Sequence, residues 1–272
     1  MAPENQDHNQ TGQIQEDLRS TVKELSDVYE EISILYRLSQ TLTGLTIDEI
    51  CNTLMEEVQT MLGVKTAAIL LYDESKKEVY TAVSSGNWPQ SQLFKKGDNI
   101  VWKAVEKNKP QVISDVKKIG INTLFPKNKA ILLCPLSGKK RAVGAIVTGE
   151  KTSGDEFYSS DIKFLMAIAN QAALSIENAS LYQEMEAFFF GTVMAFVKAI
   201  ESRSKWTSGH SERVTKYSIA IAKKMGMDST FLERLKICGL LHDIGKIATP
   251  VEILDKNGKL TKNEMRWIDE WK

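Results

Sequence analysis

The fold of the first half of the chain is decided by residues 130–148. There the apolar run Ala130-Ile-Leu-Leu-Cys-Pro-Leu136 is followed by a Ser-Gly-Lys-Lys turn and a second run, Ala142-Val-Gly-Ala-Ile-Val-Thr148. Two short apolar runs on either side of a polar, glycine-containing turn predict two strands. Upstream, residues 66–72 and 78–84 flank the polar turn 73–77 and predict a further strand pair.

Helical segments surround these strands. Residues 47–62 carry apolar side chains on one face, have acidic residues near their start and stop at Gly63. Residues 100–107 and 159–186 also predict helices, and an extended piece is expected at 111–114. This order of elements predicts an α+β domain, in which an antiparallel sheet carries helices on one side.

The second half of the chain has no strand signals. Residues 188–202, 211–225 and 229–242 predict helices, so the second unit is expected to be all-α and to begin near 182–190. Helical spacing predicts two buried rows, Val214, Tyr217, Ile221 and Met225 on one helix and Leu235, Cys238, Leu241 and His242 on the next. The domains predicted are a disordered tail (1–17), an amphipathic helix (18–43), the α+β domain (44–182) and a partial helical domain (183–272).

The amphipathic helix at 18–43 contains a heptad pattern. Leu18, Leu25 and Ile32 take one core position, and Val28, Leu35 and Leu42 take the other. A coiled coil and a helix packed on its own domain both fit this pattern. We expect a homodimer through this helix in either case.

Composition narrows the class of protein. Lys and Arg number 35 and Asp and Glu number 35, so the net charge is zero and a nucleic-acid partner is not expected. The most apolar stretch, residues 188–197, is shorter than the roughly 20 residues of a membrane span, so no membrane span is expected. Cys51, Cys134 and Cys238 are far apart and lie in apolar runs, which predicts buried free thiols in a reducing cytoplasm.

The α+β domain resembles the GAF family. The resemblance is carried by Phe157-Tyr-Ser-Ser-Asp161, by the helix at 168–182 and by the strand pair at 131–147, and it covers roughly residues 30–182. It implies a cupped sheet that often holds a small ligand, whose identity the sequence leaves open. A histidine-ligated haem is excluded, because no histidine occurs between His8 and His210.

Some GAF domains bind nucleotides through an Asn-Lys, Phe, Asp-Glu signature. Lys151, Phe157 and Asp161 match it, whereas Glu150 and Ile162 do not. We therefore do not expect cyclic-nucleotide binding, and we expect the pairing of Lys151 with Asp161 to brace the fold.

Two strings in the helical domain carry chemistry. Gly209-His-Ser-Glu-Arg-Val214 places His210 in the first turn of a helix, and Leu240-Leu-His-Asp-Ile-Gly-Lys-Ile247 places His242 beside Asp243 at a helix end. An imidazole and a carboxylate side by side can both reach one divalent metal. A lysine nearby, Lys246, can hold a phosphate as a point charge. A lone histidine on an apolar face is more often a core residue, so the adjacent pair alone is a weak signal.

The full set of strings resembles the HD-GYP family of cyclic di-GMP phosphodiesterases in bacterial signalling. Besides the two strings above, it includes Ala199-Ile-Glu-Ser-Arg203, Pro250-Val-Glu-Ile-Leu254 and Gly258-Lys-Leu-Thr261. The resemblance implies two or three ions, usually iron or manganese, that activate water for phosphodiester hydrolysis. It implies His210, His242 and Asp243 as metal ligands, with Asp243 and Lys246 in catalysis and Lys246 contacting phosphate.

The chain departs from that family after His242. The further histidines, the final aspartate and the Gly-Tyr-Pro loop do not occur in the 272 residues. We therefore expect a truncated GAF-regulated cyclic di-GMP phosphodiesterase with little or no activity, in which the helix at 161–200 passes on the sensor's state. The alternative is a non-catalytic dimeric GAF sensor whose HD remnant serves protein interaction. The Gly-His-Ser-Glu-Arg-Val string disfavours a different HD phosphohydrolase that acts on nucleotides.

Overall fold

A computed structural model describes residues 4–88, 92–95, 97, 100–113, 130–139, 141–149, 151–202 and 209–269. The chain divides into two compact units, Met1–Leu181 and Tyr182–Lys272. The first unit is α+β and the second is helical, as the sequence predicted. Within the described ranges, no helix combines the length and the hydrophobicity needed to cross a membrane.

The first unit is built on a six-stranded sheet in the order β3-β2-β1-β6-β5-β4, with antiparallel neighbours throughout. Its central strands are β1 and β6, which pair from Ala67 with Thr148 to Leu71 with Gly144. The strands are β1 (Ala67–Asp73), β2 (Glu78–Ser85), β3 (Leu93–Lys95), β4 (Gln111–Ile113), β5 (Ile131–Ser137) and β6 (Ala142–Thr148).

Eight α-helices accompany the sheet in the described chain. In the first unit these are α1 (Glu4–Thr41), α2 (Ile47–Leu62) and α3 (Ile100–Lys107). Helix α4 (Ser159–Glu201) contributes residues to both units. The second unit adds α5 (His210–Lys224), α6 (Ser229–Leu241), a 3₁₀ helix (Ile244–Ala248), α7 (Val251–Leu254) and α8 (Lys262–Asp269).

Both faces of the sheet are covered. Ile69 and Leu71 lie in a core with α1, α2 and α4, whereas Ala68 and Leu70 lie in a second core with Trp102 of α3. The prediction that the helices lie on one side was therefore wrong for α3. The reason is that strands such as β1 are apolar at consecutive positions, a pattern typical of strands buried on both faces.

Most predicted elements match the structure, and α2, α3 and β6 have the predicted bounds. Thr46 caps α2 in a capping box with Glu49, and Gly63 ends the helix in the left-handed region at φ 56°. Helix α4 shows no break between residues 182 and 190, because this stretch is rich in good helix formers. Strand β3 was not predicted, since three residues carry too little pattern.

Helix α1 has two parts. It begins at Glu4, which differs from the disorder expected for residues 1–17. Near its end, Leu38 and Leu42 are fully buried in the core of the first unit. Leu18 and Leu25, in contrast, are 61% and 69% exposed. One end of the heptad pattern thus packs on its own domain, and the other end faces outward in the described chain.

The start of α4 is held by an ion pair. Lys151 Nζ lies 2.6 Å from Asp161 Oδ2, with the two side chains only 13% and 15% exposed. Asp161 Oδ2 also accepts a hydrogen bond from the backbone N–H of Tyr158 at 2.7 Å. The Lys151 ammonium further lies 5.8 Å from the centre of the Phe157 ring. Of the three signature residues, Lys151 therefore contacts both Phe157 and Asp161.

The second unit departs from the predicted burial. Tyr217, Ile221 and Met225 are 63%, 61% and 66% exposed, and α5 instead buries its small residues Ser211, Thr215 and Ala222. On α6 the buried residues are Gly239 and Leu240, while His242 and Cys238 are exposed. A Cβ atom at Gly239 would lie 2.6 Å from Thr215 Oγ1, so α5 and α6 meet along small side chains rather than along their apolar rows.

The three thiols are free, as predicted. Cys51 and Cys134 lie in the core of the first unit, where burial raises the pKa of each thiol to about 12. Cys238 contradicts the expectation of burial, because the face of α6 that packs on α5 is the one through Gly239.

Candidate metal centre

His210 is positioned by the end of α4. It is the first residue of α5 and follows Gly209, whose φ of 69° lies in the left-handed region that favours glycine. The Glu201 carboxylate accepts hydrogen bonds from the backbone N–H groups of Gly209, at 2.7 Å, and Ser211, at 2.8 Å. These bonds bracket His210 in the sequence and fix the backbone that carries it.

The charge state of Glu201 fits this role. Partial burial raises its pKa, but the hydrogen bonds from Ser211 and Gly209 outweigh burial and bring the pKa below its ordinary value. An ionised carboxylate also suits the positive end of a helix dipole at the start of α5.

His242 is positioned by α6. It directly follows the helix, and its Nδ1 lies 2.8 Å from the carbonyl oxygen of Gly239. With Nδ1–H donating to that carbonyl, Nε2 keeps its lone pair and can bind a metal. A backbone carbonyl in this place is a common orienting partner of metal-binding histidines.

The three side chains predicted as ligands come together. His242 Nε2 lies 3.3 Å from Asp243 Oδ2, and His210 Nε2 lies 3.8 Å from the same oxygen. The two imidazole rings are 5.3 Å apart at 56°. One potential ligand atom from each residue lies within 4.8 Å of the other two.

This arrangement fits a divalent metal. Ligand atoms about 2.1 Å from a common ion are roughly 3 to 4 Å apart, which matches the two distances to Asp243. Two imidazoles and a carboxylate are a donor set that first-row transition metals accept. The His210 side chain is 42% exposed and that of Asp243 is 23% exposed, so the site is open to solvent.

Lys246 reaches the same carboxylate. Its Nζ lies 2.6 Å from Asp243 Oδ2, one turn of 3₁₀ helix away. The ammonium therefore lies beside the three side chains that would hold a metal, where it could also contact an anion. Beside them is a cavity of about 110 Å³, lined by Val197, Leu240 and Leu254 together with Glu201 and Asp243.

Sequence reasoning did not assign a role to Glu201. The residue stood inside the string Ala199-Ile-Glu-Ser-Arg203, but its partners are backbone N–H groups, which every sequence has. The Gly239 carbonyl was missed for the same reason. The one available signal was its position three residues before His242 at a helix end.

Two family models match the chain. One describes the GAF domain and matches residues 44–177, and the other describes the HD domain and matches residues 195–272. The chain carries a GAF domain followed by an HD domain. The candidate metal centre lies wholly within the HD domain, and the HD family is metal-dependent.

Several curated relatives of this chain are cyclic dinucleotide phosphodiesterases by name. A 3'3'-cGAMP-specific phosphodiesterase of Vibrio cholerae is 41% identical over 83 residues, which are 30% of this chain and 18% of the relative. A cyclic di-GMP phosphodiesterase of Thermotoga maritima is 40% identical over 83 residues, 30% of this chain and 23% of the relative. The chain thus spans about a quarter or less of the length of these relatives.

Solved structures resemble the GAF domain. A GAF domain of an Acinetobacter phosphoenolpyruvate-protein phosphotransferase has a TM-score of 0.49 at 16% identity, covering 56% of this chain and 95% of that one. A GAF domain/HD domain protein from Geobacter sulfurreducens has a TM-score of 0.45 at 17% identity, covering 52% of this chain and 98% of that one.

Proposed function

We propose that the HD domain binds a divalent metal and serves the hydrolysis of a cyclic dinucleotide, cyclic di-GMP first, under the control of the GAF domain. The observation that carries the proposal is the convergence of His210 Nε2 and His242 Nε2 on Asp243 Oδ2, at 3.8 and 3.3 Å. The names of the relatives supply the substrate class, with 3'3'-cGAMP as the second candidate.

Each residue has a proposed role. His210, His242 and Asp243 hold the metal, for which we propose iron or manganese. Once bound, such a metal would lower the pKa of water and neutralise charge on a phosphodiester. Lys246 neutralises Asp243 and holds a phosphate oxygen, because its ammonium already lies at the carboxylate.

We infer that the 272 residues alone hydrolyse the substrate slowly or not at all. Three protein ligands can hold one metal, whereas a two-metal clamp around a phosphodiester needs a larger ligand set. Among the residues that the structure describes, His210, His242 and Asp243 are the one group of three or more histidine, cysteine or carboxylate side chains placed closely enough to hold a metal ion. The chain is therefore expected to bind metal and dinucleotide more readily than it turns substrate over.

The second candidate is a non-catalytic sensor whose HD domain binds another protein. It is favoured by the apolar row Tyr217, Ile221 and Met225, which α5 leaves more than half exposed. This candidate predicts that metal is dispensable and that substitution of Tyr217 and Ile221 changes partner binding.

The experiment that separates these candidates measures metal, binding and turnover on one sample. The chain is loaded with Mn²⁺, its metal content is measured, and cyclic di-GMP and 3'3'-cGAMP are offered in turn. We expect metal-dependent binding of a dinucleotide with little linear product. His242→Asn should abolish both metal and dinucleotide binding, and Glu233→Gln, an exposed residue on α6, should change neither. Equal dinucleotide binding with and without metal would overturn the proposal.

We also propose a homodimer through the exposed part of α1. Leu18, Leu25 and Ile32 occupy one heptad position and are 61%, 69% and 59% exposed, which is unfavourable in water for a helix that stays alone. Light scattering should report a dimer that Leu25→Glu with Ile32→Glu weakens and that Lys23→Glu leaves intact. A monomeric wild-type chain at micromolar concentration would refute this assignment.

The GAF domain is proposed to hold a regulatory small molecule or to act as a dimerisation module. We propose that helix α4 transmits the state of the GAF domain to the HD domain, because the helix runs unbroken from Ser159 to Glu201.

The free thiols of Cys51, Cys134 and Cys238 support the further proposal that the protein works in the reducing cytoplasm.

A further inference from the structure

Gly239 lies in the interior of helix α6, where glycine is unfavourable. It comes two residues before the end of a helix that runs from Ser229 to Leu241, and every other residue type except proline favours a helix more. Its φ does not lie in the left-handed region, so the backbone conformation does not require glycine at this position. The reason for a glycine is instead the space beside it.

That space is occupied by Thr215 of α5. A Cβ atom on residue 239 would lie 2.6 Å from Thr215 Oγ1 and 3.1 Å from Thr215 Cα. Thr215 is 5% exposed, and its hydroxyl donates a hydrogen bond of 2.7 Å to the Ser211 carbonyl oxygen. A rotation of this side chain could relieve the first contact, but the second involves the backbone of α5. Glycine therefore allows α5 and α6 to approach more closely than any other residue would.

The contact lies close to the proposed metal ligands on both helices. Thr215 follows His210 by five residues, a little more than one turn of α5. On the other helix, the Gly239 carbonyl oxygen lies 2.8 Å from Nδ1 of His242. Gly239 thus contacts the helix that carries His210 and orients the imidazole of His242.

One of the two distances that converge on Asp243 crosses between the helices. His242 and Asp243 are neighbours in the chain, so the 3.3 Å between His242 Nε2 and Asp243 Oδ2 is fixed locally. The 3.8 Å between His210 Nε2 and the same oxygen joins the start of α5 to the segment that follows α6. This distance, which we call the His210–Asp243 span, changes whenever α5 moves relative to α6.

We propose that Gly239 is a positioning residue of the metal site, which sets the His210–Asp243 span and thereby the size of ion that the site prefers. This inference deepens the proposed function and rests on it, since it concerns the ligands of the proposed metal. In Gly239→Ala, the Thr215 atoms have to retreat by roughly 0.5–1 Å to reach an ordinary contact distance. His210 is on the same helix, so it moves away from Asp243 with them.

Two ions of equal charge and different size measure this span. Zn²⁺ and Cd²⁺ both have a filled d shell, so d electrons impose no geometry on either ion. Cd²⁺ is the larger of the two and forms the longer bonds. A wider span therefore penalises Zn²⁺ more than Cd²⁺, because short bonds require ligand atoms that are close together.

The experiment measures the affinity of the full chain for Zn²⁺ and for Cd²⁺ by calorimetry, in a Cys238→Ser background that removes the exposed thiol. We expect Gly239→Ala to lower the Zn²⁺ affinity about tenfold and the Cd²⁺ affinity less than about twofold. Val193→Ala is the matched control, because it truncates a buried side chain in the apolar cluster that α4 forms with Leu240. The control variant should lose stability and keep the wild-type ratio of the two affinities.

Changes at Thr215 test the contact itself. Thr215→Ala removes the atom nearest to the new Cβ, and the remaining contacts, at 3.1 and 3.2 Å, require a shift of only a few tenths of an ångström. Gly239→Ala combined with Thr215→Ala should therefore recover most of the wild-type ratio. Thr215→Val, whose methyl group is bulkier than the hydroxyl, presses on Gly239 from α5 and should lower the preference for Zn²⁺ by about twofold. This variant keeps the test valid if Gly239→Ala alone does not fold.

The outcomes separate this inference from the proposed function. If Gly239→Ala changes the ratio of affinities no more than Val193→Ala does, Gly239 does not set the span, although the metal site stands. A ratio that the change at Thr215 does not recover would overturn the inference in the same way. A wild-type chain that binds neither ion would overturn the proposed function and this inference with it.

Discussion

Breaking the ion pair between Lys151 and Asp161 should destabilise the GAF domain strongly. The two groups are 2.6 Å apart and nearly buried, at 13% and 15% exposure. Removing one partner of a buried pair leaves the other charge without compensation, which typically costs about 3–5 kcal/mol. Because both groups keep a little contact with water, we expect about 2–4 kcal/mol for Asp161→Asn.

The two single variants should differ. Asp161→Asn also weakens the hydrogen bond from the Tyr158 N–H at the start of α4, whereas Lys151→Met leaves that bond in place. We therefore expect Lys151→Met to cost less, about 1–3 kcal/mol. The double variant should cost less than the sum of the single variants by about 1 kcal/mol or more, because the pair is lost only once.

Thiol labelling measures the effect on the first unit alone. In a Cys238→Ser background, Cys51 and Cys134 are buried and react only when this unit opens. Every 1.4 kcal/mol lost raises the opening equilibrium about tenfold, so the expected loss of about 2–4 kcal/mol in Asp161→Asn should speed labelling by about 30-fold to 700-fold. The chain supplies a matched control in Lys76, whose exposed ion pair with Asp73 should contribute less than about 1 kcal/mol.

Equal, small effects of Asp161→Asn and Lys76→Met on the labelling rate would show that the ion pair of Lys151 with Asp161 does not stabilise the first unit. In that case Lys151 and Asp161 would not stabilise the fold, and their match to the nucleotide-binding signature would instead favour nucleotide binding by the GAF domain. If labelling accelerates as expected, the stability of the first unit is sufficient to explain why Lys151 and Asp161 occur at the signature positions.

Three further predictions concern other parts of the chain. The raised thiol pKa values imply that the first unit loses stability as the pH rises from 9 toward 12, because the unfolded chain releases these protons first. The slope should be about 1.4 kcal/mol per pH unit for each thiol, measured by urea unfolding, and Cys51→Ala should halve it. Gly239→Ala should cost the second unit about 1–3 kcal/mol in thermal unfolding, since its Cβ meets α5, whereas Gly191→Ala, in open space, should stabilise α4 slightly. Glu201→Ala should weaken Mn²⁺ binding about tenfold in a fluorescence titration, and Glu201→Gln should have an affinity between those of Glu201→Ala and the wild type. An unchanged affinity would show that Glu201 does not position His210 for metal binding.

The elements of this fold were largely predictable from local pattern. Strand β6 and helix α3 have the predicted bounds because apolar runs and turn signals are short-range information. Which face of each helix is buried was harder to predict. The period of Val214, Tyr217 and Ile221 correctly predicted a helix, but which stripe of α5 is buried is decided by Gly239 on another helix.

The candidate site likewise has a part that local sequence predicts and a part that depends on the fold. His242 and Asp243 are adjacent in the sequence, so their proximity needed no structure. The approach of His210 across more than thirty residues could be expected only from the family resemblance. The role of Glu201 was not predicted because its partners are backbone N–H groups, and the periodicity of the sequence does not indicate such hydrogen bonds.

A metal titration tests whether His210, His242 and Asp243 form one metal site. Calorimetry with Mn²⁺ and Fe²⁺ on the full chain should give one ion per chain. Each of His210→Asn, His242→Asn and Asp243→Asn should lower the affinity at least about tenfold. Lys246→Met should not lower it, because the Lys246 ammonium is no ligand and competes with the metal for Asp243 Oδ2. A wild-type chain that binds no metal, or variants that bind it as tightly as the wild type, would show that these three side chains do not form a metal site.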